Sequence, residues 1–139
     1  MTDSKRLELA LPATMDRLPS FLGAVTHLAE QAGLDPNRIM MIELATEEAL
    51  VNIIKYAYPN EGGSITLIGR SAPSEALTLT IIDQGQPFDV LAAPDPDIDL
   101  GVDDRPIGGL GVHFMKKVAN KISYTRNDNQ NELLMVFEP

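Results

Sequence analysis

The chain has no cysteine and no tryptophan, only 5% aromatic residues, and 11 basic against 20 acidic side chains in 139 residues. Without cysteine there are no disulfides, thiolate metal sites or cysteine nucleophiles. The net charge of −9 argues against a nucleic-acid surface, which needs a basic face. Any polyphosphate ligand must therefore be held locally, by a metal ion, helix N-termini and a few cationic side chains. No apolar run approaches the roughly 20 residues that span a bilayer. The first residues, Met1 to Arg6, lead into an alternating pattern rather than a signal-peptide core. A cytoplasmic protein without membrane segments is the expectation. With 44% hydrophobic residues, the length suits one domain with a real core.

Leu7, Leu9 and Leu11 alternate with Glu8 and Ala10 and predict a strand ended by Pro12. Thr14 is placed to cap a helix running to about Ala32, with Gly33 as its stop. Asp35-Pro36 opens a second helix over about Asn37 to Tyr58, closed by Pro59. On it, Ile42, Ala49, Leu50, Ile53 and Ala57 share one apolar side, with Glu48, Asn52 and Lys55 roughly opposite. Ser64 to Gly69 and Leu77 to Ile82 predict a hairpin, with Asp83 where the second strand stops. Gln84 to about Ile107 has no credible periodicity, and a loop that long inside a domain suggests a lid over a binding site. A helix over Gly111 to Asn120 follows, with Val112, Met115, Val118 and Ala119 inward. A closing hairpin pairs Lys121 to Thr125 with Glu132 to Glu138 around Asn127-Asp128-Asn129-Gln130. The order βααββ–loop–αββ predicts an α+β, two-layer sandwich: one mixed sheet with helices on one face.

The chemistry lies in three boxes. Glu48 and Asn52, four apart on a helix, face one way. A carboxylate there can take a proton from a hydroxyl or water, and an amide oxygen can ligate a hard cation such as Mg²⁺. Asp83-Gln84-Gly85 closes a strand, and Gly108-Gly109-Leu110-Gly111 opens a later helix. Phosphate favours bare backbone N–H groups at a positive helix end, where side chains would block approach. Each box alone has a plainer reading: a solvated glutamate, an asparagine in an interhelical hydrogen bond, an aspartate capping a turn, glycines in a flexible turn. Arg105 could reach a phosphate, although a surface arginine is the commoner role. Among Asp95, Asp97 and Asp99 an EF-hand spacing fails, because the glycine falls late at Gly101 and Pro106 stands where the bidentate glutamate belongs. His27 and His113 are far apart in sequence and suggest no zinc site.

Together, in this order, the boxes resemble the ATP-binding domain shared by histidine kinases and type II topoisomerases, the GHKL or Bergerat-type fold. Residues 83–89, DQGQPFD, bring the likeness closer to the small anti-sigma-factor serine/threonine kinases of bacteria. The resemblance covers about Arg17 to Phe137. It implies Glu48 as general base, Asn52 as the Mg²⁺ ligand, Asp83 as acceptor of the adenine amine and Gly85 as the close approach to the base. It also implies that Gly108, Gly109, Leu110 and Gly111, with Arg105 from a lid over about 86–108, face the phosphates of ATP or ADP. The implied partners are a sigma factor and a small anti-anti-sigma protein (STAS-type) as substrate, with a homodimer as the implied assembly. The chain departs from that pattern at Tyr56, where such kinases carry histidine, at Glu47, which doubles the acidic position, and at Gln130-Asn131, where a Gly-Thr pair is usual. A nucleotide-sensing binding module without phosphoryl transfer is the alternative, and the altered third box keeps it open.

Overall fold

The computed structural model describes residues 4–60, 62–72, 75–92 and 111–139. The aspartates between 95 and 104, Arg105, Gly108, Gly109 and Leu110 lie outside the described residues.

Strand β1, Lys5–Pro12, is followed by a short 3-10 turn and then helices α1, Leu18–Gln31, and α2, Pro36–Tyr56. Strands β2, Ser64–Ser71, and β3, Leu77–Asp83, form the first hairpin. Helix α3, Gly111–Val118, and the hairpin of β4, Lys121–Asn127, with β5, Gln130–Phe137, complete the order. The expected two-layer α+β architecture is present. The sheet, ordered β1-β2-β3-β5-β4, is antiparallel at every pairing instead of mixed. The reason is the way the last hairpin inserts: β5, not β4, docks on β3, so the returning strand runs against both neighbours.

Binary patterning accounts for the layers. Along β2, β3 and β5 one alternate set of residues is buried, including Ile65, Leu67, Leu79, Ile81, Leu133 and Met135. Those side chains meet Phe21, Val25 and Leu28 of α1, Ile42, Leu50 and Ile53 of α2, and Met115 of α3 in a single core. The other face is partly exposed and mixes Thr66, Thr78 and Thr80 with Ile68, Ile82, Leu134 and Val136.

The helix starts differ in kind. Asp35 caps α2 through its Oδ1, which accepts from Asn37 N at 3.0 Å, with Pro36 at the first helical position. Thr14 makes no side-chain cap; its carbonyl accepts from Arg17 N in the 3-10 turn, and α1 proper begins only at Leu18 with Pro19 in its first turn. Proline fixes that boundary because its missing donor is tolerated only there.

Candidate functional site

Helix α2 is the spine of the site. It is buried nearly all round between Ala45 and Ile53, because α1, α3 and the sheet pack on it. Glu48 is therefore 6% exposed, contrary to a solvent-facing position opposite the apolar side. Its Oε1 accepts from Gly111 N at 3.0 Å and lies 3.3 Å from Asn52 Nδ2. Gly111, the first residue of α3, has φ +77°, a conformation glycine adopts without cost. The carboxylate thus sits on the positive end of α3, which offsets part of its desolvation.

Asn52 Nδ2 also donates to Glu48 O at 2.8 Å. With the amide nitrogen turned back on the helix, its Oδ1 faces away and meets no donor among the described residues. That oxygen is free to ligate a hard cation. No group of three or more His, Cys, Asp or Glu side chains that could cage a metal occurs among the described residues. A Mg²⁺ ion held here would need oxygens from a phosphate and water beside Asn52, which is how this ion usually binds with nucleotides.

At the C-terminal end of α2 lies the second group. Asp83, the last residue of β3, is 2% exposed. Its Oδ1 accepts from Gly85 N at 2.9 Å and from Asn131 Nδ2 at 2.8 Å. Burial pushes the Asp83 carboxyl up, opposed by the Asn131 and Gly85 hydrogen bonds and by the Arg126 charge. Both bonds fall on Oδ1, so Oδ2 meets no donor among the described residues. Gly85 packs against the end of α2, where an added Cβ would lie 2.3 Å from Ala57 O. Gln86 then satisfies two α2 carbonyls, N to Ala57 O at 3.0 Å and Nε2 to Tyr56 O at 2.7 Å. Tyr56 stacks obliquely on Phe88 at 5.4 Å between ring centroids, which holds down the segment entering 93–110.

The structure thus gathers Glu48 and Asn52 of α2 with Gly111 in one contact group, and Asp83 with Gly85 in another that abuts the C-terminal end of α2. Glu48 and the C-cap Ala57 stand nine positions apart along α2, about 14 Å of rise. Sequence reading missed Asn131 and Arg126. Only the cross-strand register places Asn131 opposite Asp83, although the departure from Gly-Thr at that point did mark the position.

Residues 11–137 match the family described as histidine kinase-like ATPase domain. The chain belongs to that family. No curated protein matches its sequence closely enough to assign a relative. Among solved structures it is similar to the RsbU and RsbW domains of Rv1364c from Mycobacterium tuberculosis, with a TM-score of 0.66 and 13% identity. The match covers 96% of this chain and 32% of that one, so this histidine kinase-like ATPase domain spans about a third of its neighbour's length. The likeness establishes a shared Bergerat-type fold. The family's description implies a nucleotide ligand.

Proposed function

We propose that this domain is an anti-sigma-factor serine/threonine protein kinase: it transfers the γ-phosphoryl group of ATP to a hydroxyl on a small anti-anti-sigma protein and binds a sigma factor. The observation that carries the reading is the buried Glu48 carboxylate on the α3 N-terminus, one turn from the outward amide oxygen of Asn52. A nucleotide laid along α2 meets Asp83 Oδ2 and the bare Gly85 backbone at its base. Its phosphates lie toward the N-terminal end of α3, where Glu48 Oε1 already holds the Gly111 N–H group, with Arg105 and Gly108 to Leu110 the expected phosphate contacts from the segment before it.

In this mechanism the substrate hydroxyl oxygen attacks the γ-phosphorus, the bond to the β,γ-bridging oxygen breaks, and ADP leaves. Glu48 takes the hydroxyl proton. Its Oε1 is already engaged by Gly111 and Asn52, which leaves Oε2 as the acceptor. Mg²⁺, when bound, supplies neutralisation of the phosphate charge, and Asn52 Oδ1 is the ligand the chain offers it. A homodimer accords with the same family resemblance, and an acidic domain of net charge −9 suits protein partners with basic surfaces.

Radiolabelled ATP with Mg²⁺ and a candidate antagonist protein tests the reading. Wild type should label the antagonist, while Glu48→Gln should keep nucleotide binding and lose transfer by at least ~10²-fold. Equal labelling by both proteins would remove Glu48 from the base role. Binding without labelling by wild type would favour a nucleotide-sensing module.

A further inference from the structure

Asn131 is 3% exposed and stands opposite Asp83 in the β3–β5 register. Its Nδ2 donates to Asp83 Oδ1 at 2.8 Å and to Gln86 O at 2.9 Å. Its Oδ1 accepts from Phe88 N at 3.2 Å, Arg126 Nη1 at 3.2 Å and the Tyr124 hydroxyl at 2.5 Å. Arg126 Nη1 also donates to Gly85 O at 2.9 Å. Both amide hydrogens are therefore used, and the oxygen is used three times. Turning the amide over would set its oxygen against a carboxylate and a carbonyl, and its NH₂ against three donors. One orientation survives.

We propose that Asn131 is a positioning residue for base recognition: it keeps Asp83 an acceptor, with Oδ2 turned to the 6-amino group of a purine, and ties that carboxylate to residues 85–88. The inference rests on the nucleotide reading above. Its logic is a balance at one carboxyl. Burial opposes ionisation, while the Asn131 amide, the Gly85 N–H and the Arg126 guanidinium favour it. The other ionisable groups coupled to this cluster are Tyr58, at the end of α2, and Tyr124 on β4, with Asp89 acting on Tyr124. Both phenols stay protonated through the acid range, so neither supplies a competing titration there. Without the amide, burial is less opposed and the carboxyl keeps its proton to a higher pH than it does beside Asn131. A protonated Asp83 donates from an oxygen that should accept. Adenine then loses its acceptor, and a 6-oxo purine gains a donor.

The experiment compares ATP with inosine triphosphate, which carries a 6-oxo group and an N1–H in place of the 6-amino group and bare N1, by calorimetry in Mg²⁺ from about pH 4 to pH 8. Wild type is set beside Asn131→Leu, which removes the amide, and Asn131→Asp, which keeps its size but faces one carboxylate with another. Circular dichroism verifies that each variant is folded. In both variants the pH midpoint of ATP binding should move upward, because two facing carboxylates share a proton and an unassisted buried one retains its own. The preference for ATP over inosine triphosphate should shrink at least ~10-fold near pH 6.

If the folded variants keep the wild-type midpoint and preference, or lose affinity equally for both nucleotides with no midpoint change, the positioning role is overturned while the nucleotide reading stands. A wild type that binds neither nucleotide overturns both. Should neither variant fold, the wild type still decides. Its Asn131 side-chain amide protons, followed by NMR, must titrate with the midpoint of ATP affinity, and resonances flat through that midpoint overturn the proposal.

Discussion

At Glu48 and Asp83 the protein sets two buried carboxyls to different uses. Glu48 rests on a helix N-terminus, and Asp83 on an amide, a backbone N–H and a nearby guanidinium. The Asp83 carboxyl is nevertheless held above its ordinary value by burial. An acid raised in the folded state binds more protons there than when unfolded. Its ionisation therefore costs stability as pH rises from the unfolded value of 3.8 through the folded one. Asp83→Asn removes that cost, so thermal melting at pH 7 should find the variant no less stable than wild type, while at pH 3 the advantage disappears. A variant less stable than wild type at pH 7 would mean that the Asp83 hydrogen bonds outweigh its desolvation. Gly85 is governed by space instead. Gly85→Ala drives a Cβ to 2.3 Å from Ala57 O, so the end of α2 or the strand-end turn must move. We expect a cost of about 2 kcal/mol in urea unfolding, together with weakened nucleotide binding, since overpacking of this kind typically costs 1–3 kcal/mol.

Among the elements, α2 was the most legible in the sequence. Its apolar stripe, the Asp35-Pro36 start and the stop before Pro59 are local signals, and each lies within two residues of the structure. The inward set of α3, Val112, Met115, Val118 and Ala119, is also buried as its period requires. What the pattern could not convey was non-local. The burial of Glu48 depends on α3 arriving over it, the pairing of β5 with β3 on a long connection, and the service of Asn131 to Asp83 on that pairing. Thr14 illustrates the opposite failure: a good local capping residue whose backbone, rather than hydroxyl, does the work. Arg38 joins two of these elements. Near the start of α2, it donates to Val118 O and Glu138 O at 3.1 Å and to Asn120 Oδ1 at 2.7 Å, with its guanidinium 5.8 Å from the Phe137 ring centroid. It thereby caps the C-terminus of α3, whose other end carries Gly111. Arg38→Ala should cost about 1–2 kcal/mol by urea unfolding, and an unchanged midpoint would show that water replaces the clamp fully.

For the whole molecule, the two contact groups matter because α2 runs from one to the other, carrying Glu48 and Asn52 and ending against Gly85. No helix among the described residues is long and apolar enough to cross a membrane. Ligand bound to the native state alone stabilises it by mass action. ATP with Mg²⁺ at 100 times its dissociation constant should add about 2.7 kcal/mol, or roughly 10 °C in melting midpoint for a domain this size. The most direct measurement of the central claim is calorimetric titration of wild type and Asp83→Asn with ATP and Mg²⁺. Saturable binding by wild type, weakened at least ~10-fold in the variant, is the predicted result. No heat of binding from wild type, or equal affinities in the two proteins, would contradict a nucleotide seated along α2 with its base at Asp83.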